Sequence, residues 1–385
     1  MKICVGSVGR FHAFDLAREM ERLGHLTRLY TAYPRFKVDG LPAAKVSSFP
    51  WIMGAATLAG RFGLPGLRER LNFPLIETFD RWMAQRLAPC EVFHCLSSFG
   101  LQSHRAARAR HGALTVCDRG STHITFQNEI LREEYERCGI PYRGTDARIV
   151  ARELGEYEFC DLISVPSSFS LRSFVEKGVP RDKLRLNPYG VDLSMFHPMP
   201  KRDAVFRVLF VGSMSIRKGI AYLVEAVKRA AVPALDLVLI GHVDKNAERV
   251  VAKCDLPLRR LGVLPRAELA EHYSQASVLV LPSIEDGFGL VMAQAMACGV
   301  PVIATTNTGA EDLFTDGAEG FIVPIRDGAA IADKIVFLYE HPEVRDAMGA
   351  AAVARVRALG GWNSYGERMA AMYQAALAAC AGAGR

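Results

Sequence analysis

The sequence predicts an α/β protein built from two parallel sheets, each covered by helices on both faces. Three observations predict it. Strand-length apolar runs alternate with helical periods along the whole chain. The pattern stops at a polar, proline-bearing stretch, His197–Arg202 (HPMPKR), and restarts at Arg207. The 385 residues also exceed one ordinary hydrophobic core.

In the first half, apolar runs predict strands at Ile3–Val5, His25–Thr31, Val92–Leu96, Leu114–Cys117 and Leu162–Val165. Helices fall between them. One is Phe14–Leu23, with Leu16, Met20 and Leu23 on one face and Gly24 as its stop. In the second half, the runs Val208–Val211, Leu235–Ile240, Val278–Leu281 and Val302–Ala304 predict strands. The domains expected are 1–197 and 203–360, with a final segment 361–385. Two such domains face to face leave a cleft between the carboxyl ends of their strands, where ligands usually bind.

Half of the residues are hydrophobic and 23% are charged, a composition that folds rather than one that stays disordered. The nine cysteines are odd in number and scattered, with no C-x-x-C pair and no metal-type spacing, and read as reduced cytosolic thiols. The opening MKICVGSVGRFHAF does not make a signal-peptide core, and Phe49–Gly60 is too short to cross a bilayer. A cytoplasmic protein, soluble or peripheral to the membrane, is expected.

The net charge of +6 is uneven: residues 1–110 carry 16 Lys and Arg against 8 Asp and Glu. Such an excess suggests a face that meets something anionic, either lipid headgroups or a phosphorylated substrate. Nucleic acid fits less well, because no Lys/Arg stripe with interleaved aromatics is present. The segment Val46–Leu71 mixes Trp51, Ile52, Met53, Leu58, Phe62, Leu64 and Leu67 with Arg61, Arg68 and Arg70, the composition of an interfacial patch. Its glycines at 54, 60, 63 and 66 equally suit a loop that packs on its own domain.

Residues 282–303, PSIEDGFGLVMAQAMACGVPVI, carry the strongest signal. An apolar strand is joined to a helix, Leu290–Ala297, through Gly287, Phe288 and Gly289, with Asp286 at the mouth of the turn. Glycines let the backbone approach a ligand, free N–H groups of a first helical turn suit phosphate, and a carboxylate accepts from hydroxyl groups. Helix capping alone would account for Asp286. Gln294, however, is the one polar side chain in an otherwise small and apolar helix and calls for a partner.

A second turn has similar chemistry. Gly212 follows the first strand of the second half, and Arg217, Lys218 and Gly219 open the next helix in VLFVGSMSIRKGIAYLVEAV. Positive charge at a helix N-terminus is mildly unfavourable on its own, so an anion there would offset it.

Together GSMSIRKG, PSIEDGFGLVMAQAMACGVPVI, NPYGVDLSMF at 187–196 and DRGSTH at 118–123 resemble glycosyltransferase family 4, the retaining enzymes of the GT-B fold. The resemblance implies two Rossmann-like domains facing across a cleft, with a nucleotide-sugar donor held by the second and a glycan, lipid-linked or small-molecule acceptor by the first. It implies no metal and a C-terminal helix that crosses back to the first domain. Carried over by position, Arg217 and Lys218 would hold the donor diphosphate, and Gly287, Phe288, Gly289 and Leu290 would offer backbone to sugar and phosphate. His123 would face the transferred sugar, Gly9 would approach the diphosphate, and the base would lie near Val263 and Leu264.

The usual pair of glutamates eight residues apart stands here as Asp286 and Gln294, with Glu285 available as a substitute carboxylate, and Ser213 stands where many members have arginine. For retention, the resemblance implies attack from the side the nucleotide leaves, with the departing phosphate oxygen taking the acceptor proton. Three other readings compete. A nicotinamide oxidoreductase lacks its G-x-G-x-x-G and its ribose-binding acid. A sugar-nucleotide epimerase would need no acceptor, and a non-catalytic nucleotide-sugar-binding protein would keep the fold without turnover.

Overall fold

The computed structural model describes residues 1–52, 54, 67–252 and 258–382. The chain forms two parallel sheets. The first contains β1 (Ile3–Ser7), β2 (Leu26–Thr31), β3 (Val46–Ser48), β4 (Val92–Leu96), β5 (Leu114–Asp118), β6 (Leu162–Val165) and β7 (Leu184–Leu186), in the order β3-β2-β1-β4-β5-β6-β7. The second contains β8 (Arg207–Val211), β9 (Asp236–Ile240), β10 (Leu258–Gly262), β11 (Val278–Leu281), β12 (Val302–Thr305) and β13 (Gly320–Val323), in the order β10-β9-β8-β11-β12-β13. Both sheets change winding direction beside their first strand, between β1 and β4 and between β8 and β11. Each reversal opens a crevice at the carboxyl ends of those strands.

The central strands are apolar and fully buried, as helices on both faces of a parallel sheet require. The four strands absent from the sequence-based expectation, β3, β7, β10 and β13, are the four sheet edges. Edge strands need less apolar sequence because one side pairs with nothing. β10 reads LRRLG and keeps its side chains partly exposed, and β7 is three residues long.

Helix Phe11–Arg22 buries Phe14, Leu16, Ala17 and Met20 against β1. It begins three residues before the expected start, which brings Phe11 and His12 into its first turn, at the carboxyl end of β1. Two chain crossings join the lobes. Val191 bridges Gly361, and a Cβ on Gly190 would lie 2.5 Å from the carbonyl carbon of Gly361, so the crossings touch backbone to backbone. Val191 and Phe196 already lie in the second core, so the chain has crossed before it reaches the polar stretch 197–202 expected to be the linker. Half of segment 46–71, residues 53 and 55–66 with Arg61 among them, lies outside the described residues.

Helix Trp362–Gly382 returns to the first lobe and seats Tyr365, Met369, Ala370 and Tyr373 in its core, against helix Phe11–Arg22. Arg368 fastens it by donating to Asn187 Oδ1 (2.9 Å) and to the carbonyl of Pro188 (2.8 Å). Met369 is wholly buried. Met369→Ala is expected to cost about 2–5 kcal/mol of first-lobe stability, read by chemical denaturation. A change within about 0.5 kcal/mol, the range of surface substitutions, would show that the returning helix is not part of that core.

Candidate functional site

The two glycine turns of the second lobe lie against each other. Ile284 N–H donates to the carbonyl of Arg217 (2.9 Å), and a Cβ on Gly219 would collide with the carbonyl oxygen of Pro282, which explains glycine there, with φ +66°. This backbone contact sets the side chains in pairs: Lys218 Nζ on Asp286, and Arg217 Nε on Glu285 at 2.6 Å. Gly289, at φ +81°, turns the chain into helix Leu290–Ala297, while Phe288 is buried beneath the turn with its ring 5.2 Å from Tyr189. Cations and glycine bend therefore share one mouth, at the carboxyl ends of β8 and β11.

The first lobe closes over that mouth through one carboxylate. Glu285 is wholly buried, and its Oε1 accepts from Ser121 Oγ (2.6 Å), Thr122 N–H (3.2 Å) and Thr122 Oγ1 (2.8 Å). Its Oε2 accepts from Gln127 Nε2 (2.8 Å) and Arg217 Nε. Burial alone would raise this carboxyl's pKa, but the Arg217 charge and the hydrogen bonds from Ser121, Gln127 and Arg217 hold it well below its ordinary 4.5. The neighbouring Gly287 carbonyl accepts from Ser167 Oγ (2.5 Å) and Ser170 Oγ (3.1 Å). A Cβ on Gly287 would strike Gly120 O of the opposite lobe, so the closeness of the lobes depends on this glycine. Farther along, Glu134 accepts from Arg326 Nε (2.6 Å) and Tyr222 Oη (2.8 Å), again across the lobes.

Between β1, β4 and β5 lies a crevice of about 340 Å³, lined by Phe11, His12, Ser97, Asp118, Arg119 and Tyr189 among others, with Arg217 reaching in from the second lobe. Ser98, on its wall, has φ +76°, uncommon for a residue with a Cβ. Three neighbours impose it: Glu156 accepts from Ser98 N–H (2.7 Å), Glu153 accepts from Ser98 Oγ, and Arg152 Nε donates to its carbonyl (2.7 Å). Such over-determined strain of about 1–3 kcal/mol collects at functional sites. Asp118, also on this wall, accepts at Oδ2 from His12 Nε2 (2.6 Å) and His94 Nε2 (3.0 Å). Burial pushes its pKa up, yet the two imidazoles hold it well below the carboxylate range.

The structure thus brings Arg217, Lys218, Asp286, Gly287, Phe288 and Gly289 together, with Gly212 at the end of β8 and Gly9 at the end of β1. Other expected residues stand elsewhere. His123 lines a different cavity. Its Nδ1 accepts from Thr125 N–H (3.3 Å) to cap helix Ile124–Arg137, and its ring sits 5.0 Å from both Tyr157 and Phe174, beside a separate cavity with Lys177 and Lys183. Burial, then the charges of Arg119 and Lys177, lower it to about 4, so it is neutral at pH 7.

Both carboxylate oxygens of Glu285 are engaged by the clamp. Gln294 finds its partner in Tyr273, whose Oη donates to Oε1 (2.8 Å). Leu290 opens its helix half-buried against the second core. Val263 is exposed and Leu264 packs on that core after the edge strand β10, two strands from β8. Missed were His12, Asp118, Arg119, Ser121, Thr122, Gln127 and Tyr189. The polar run DRGST at the end of strand β5 was the signal for Asp118, Arg119, Ser121 and Thr122, because carboxyl strand ends line such crevices; His12 follows β1 and Tyr189 follows β7 in the same way, and Gln127 lies in the helix after β5.

A carboxylate with a depressed pKa gives its full contribution above the ordinary value and loses it as pH falls below that value. The lobes are therefore expected to stay closed above pH 4.5 and to part in stronger acid, seen as a rise in radius of gyration by small-angle scattering. Glu285→Gln should be more open already at neutral pH; an unchanged profile would contradict the clamp.

A family model described as glycosyl transferases group 1 matches residues 205–341. The D-inositol 3-phosphate glycosyltransferase of Pseudarthrobacter chlorophenolicus is 32% identical over 249 residues, covering 59% of this chain and 59% of that protein. The GDP-mannose-dependent monoacylated alpha-(1-6)-phosphatidylinositol monomannoside mannosyltransferase of Corynebacterium glutamicum is 28% identical over 237 residues, 56% of this chain and 62% of that protein. The chain thus spans about three-fifths of the length of these curated relatives. Among solved structures, the sucrose-phosphate synthase of Thermosynechococcus elongatus superposes with a TM-score of 0.75 at 23% identity, over 98% of this chain and 100% of that one. HepE of Anabaena, in complex with UDP and glucose, superposes with a TM-score of 0.70 at 16% identity, over 97% and 100%. Residues 205–341, in the second lobe, thus resemble the glycosyl transferases group 1, and the two lobes together carry the GT-B fold.

Proposed function

We propose that the protein transfers a sugar from a nucleoside diphosphate sugar to a hydroxyl acceptor, with retention of anomeric configuration. One observation carries the reading: Arg217 and Lys218 stand side by side at the carboxyl end of β8, against the glycine bend Gly287–Gly289, where the crevice of the other lobe opens. Without ligand, Lys218 is paired with Asp286. A diphosphate would take Lys218 as its counter-ion, and the freed Asp286 would accept from hydroxyls of the sugar. Arg217 stays anchored by Glu285 through Nε and turns its outer guanidinium nitrogens toward the crevice. Charge-assisted bonds are worth about 1.5–3 kcal/mol each, and more toward the charge that grows on the departing phosphate.

The clamp at Glu285 would exclude water once the donor is in place, and the departing phosphate oxygen would take the acceptor proton. The UDP and glucose bound by HepE, and the nucleotide-sugar dependence in the name of the Corynebacterium relative, support the donor class. Lys218→Ala is expected to lower transfer at least a hundredfold with the fold intact, the scale set by lost transition-state charge stabilisation. A thermal-shift screen of UDP, GDP and ADP identifies the base. Nucleotide binding with equal donor breakdown in wild type and Lys218→Ala would favour a non-catalytic binding protein.

We also place the reaction at an anionic membrane face, with a lipid-linked acceptor. Three large side chains that follow successive first-lobe strands are exposed: Phe11 after β1, Phe36 (86%) after β2 and Trp51 (79%) after β3, with Arg10, Arg35 and Lys37 beside them. Apolar rings among cations suit headgroups and the acyl boundary. No helix among the described residues is long and apolar enough to cross a membrane. Co-sedimentation with phosphatidylglycerol vesicles is expected for the wild type and weakened in Phe36→Ser/Trp51→Ser. A wild type left in the supernatant contradicts the placement.

A further inference from the structure

His12 stands at the head of a chain of buried polar groups that the reading above does not use. Asp118 Oδ2 touches two imidazole nitrogens, His12 Nε2 and His94 Nε2, and His94 Nδ1 lies 2.7 Å from Tyr373 Oη on the returning helix. Asp118, His94 and Tyr373 are each at most 1% exposed, so none of these bonds is traded with bulk water. Their directions follow from the donor inventory. An ionised carboxylate only accepts, so both Nε2 atoms donate to it. With Nε2 committed to Asp118, the remaining nitrogen of His94, Nδ1, faces Tyr373 Oη.

The same logic fixes His12. Its Nε2–H is committed to Asp118, with Tyr189 Oη 3.3 Å from that same nitrogen, and the ring is held against Tyr189 at a centroid distance of 4.3 Å. Among the described residues nothing bonds to Nδ1. That edge of the ring faces Gly120: a Cβ there would lie 3.3 Å from His12 Cε1 and 3.9 Å from Nδ1. The crevice lined by His12 also receives Arg217. A carboxylate behind an imidazole that lines a crevice, with the ring's other nitrogen bare, is an arrangement that presents a hydrogen-bond acceptor to a hydroxyl group.

We propose that His12 Nδ1 accepts a hydrogen bond from an acceptor hydroxyl next to the reacting one, which holds the acceptor in place while the reacting O–H bonds to the sugar carbon and passes its own proton to the departing phosphate oxygen; Asp118, His94 and Tyr373 are positioning residues that fix the ring. This rests on the glycosyl-transfer reading and names the acceptor as a polyhydroxyl compound, neutral at its reacting end. His12 takes no proton in this role. Tyr373 thereby makes the seating of the returning helix part of the acceptor site, although it lies more than 350 residues along the chain from His12.

Two measurements test it. With donor and acceptor varied separately, His12→Asn is expected to lower kcat/KM for the acceptor about tenfold or more, the loss of one hydrogen bond, while donor KM stays unchanged. Tyr373→Phe, which keeps the packing, should do the same to a smaller extent. Equal losses for donor and acceptor, or none, would overturn the proposal. The second measurement is independent of turnover: imidazole ¹⁵N spectra of the full chain should show His12 protonated at Nε2 and bare at Nδ1, with the Nδ1 signal moving on addition of methyl α-glucopyranoside. A wild type that turns over no nucleotide sugar would remove the glycosyl-transfer reading, and the spectra would still decide this one. Protonation at Nδ1 instead, or no response to the glycoside, would end it.

Discussion

Among the polar contacts that join the two lobes, the wholly buried carboxylate of Glu285 gathers the most partners. It grows from the same turn that carries Asp286 and the glycine bend, and it is satisfied only when Ser121, Thr122 and Gln127 arrive from the opposite lobe. Breaking such a buried pair by removing one partner typically costs about 3–5 kcal/mol, because the remaining charge is left unpaired. The clamp therefore couples three things: the position of Arg217, the closeness of Gly287 to Gly120, and the shape of the crevice that holds His12. Each is set by polar contacts, so closure is tied to geometry and charge more than to a large apolar contact.

The central architecture was legible because buried parallel strands have to be apolar. Val92–Leu96, Leu162–Val165 and Val278–Leu281 fall where their apolar runs end. The edges were not legible, for the same physical reason in reverse: β3, β7, β10 and β13 pair on one side only and tolerate short or charged sequences such as LRRLG. The crossing point was misplaced because proline and charge mark a surface segment, whereas the passage between lobes is fixed by the backbone contact of Gly190 with Gly361.

At the site, the second lobe was legible and the first was not. Arg217, Lys218, Asp286 and the glycines are local: strand, turn and helix sit within a few residues of each other, and their spacing sets their geometry. The first-lobe residues converge from distant strands. His12, Asp118 and His94 meet only because β1, β4 and β5 are neighbours in the sheet. His123 had the right residue type in the right segment, but its Nδ1 is spent on capping a helix. Glu285 and Gln294 show the same limit. Both drew notice as polar groups near the turn, and each is satisfied by a partner far away in sequence, Ser121 and Thr122 in one case and Tyr273 in the other.

The whole account turns on where an anion settles between the lobes. A crystal structure of the protein with a nucleoside diphosphate decides this most directly. The account predicts the terminal phosphate within hydrogen-bonding distance of Lys218 Nζ and the outer nitrogens of Arg217, over the Gly287–Gly289 bend, with Asp286 released from Lys218. Phosphates bound elsewhere, with both ion pairs intact, would contradict it.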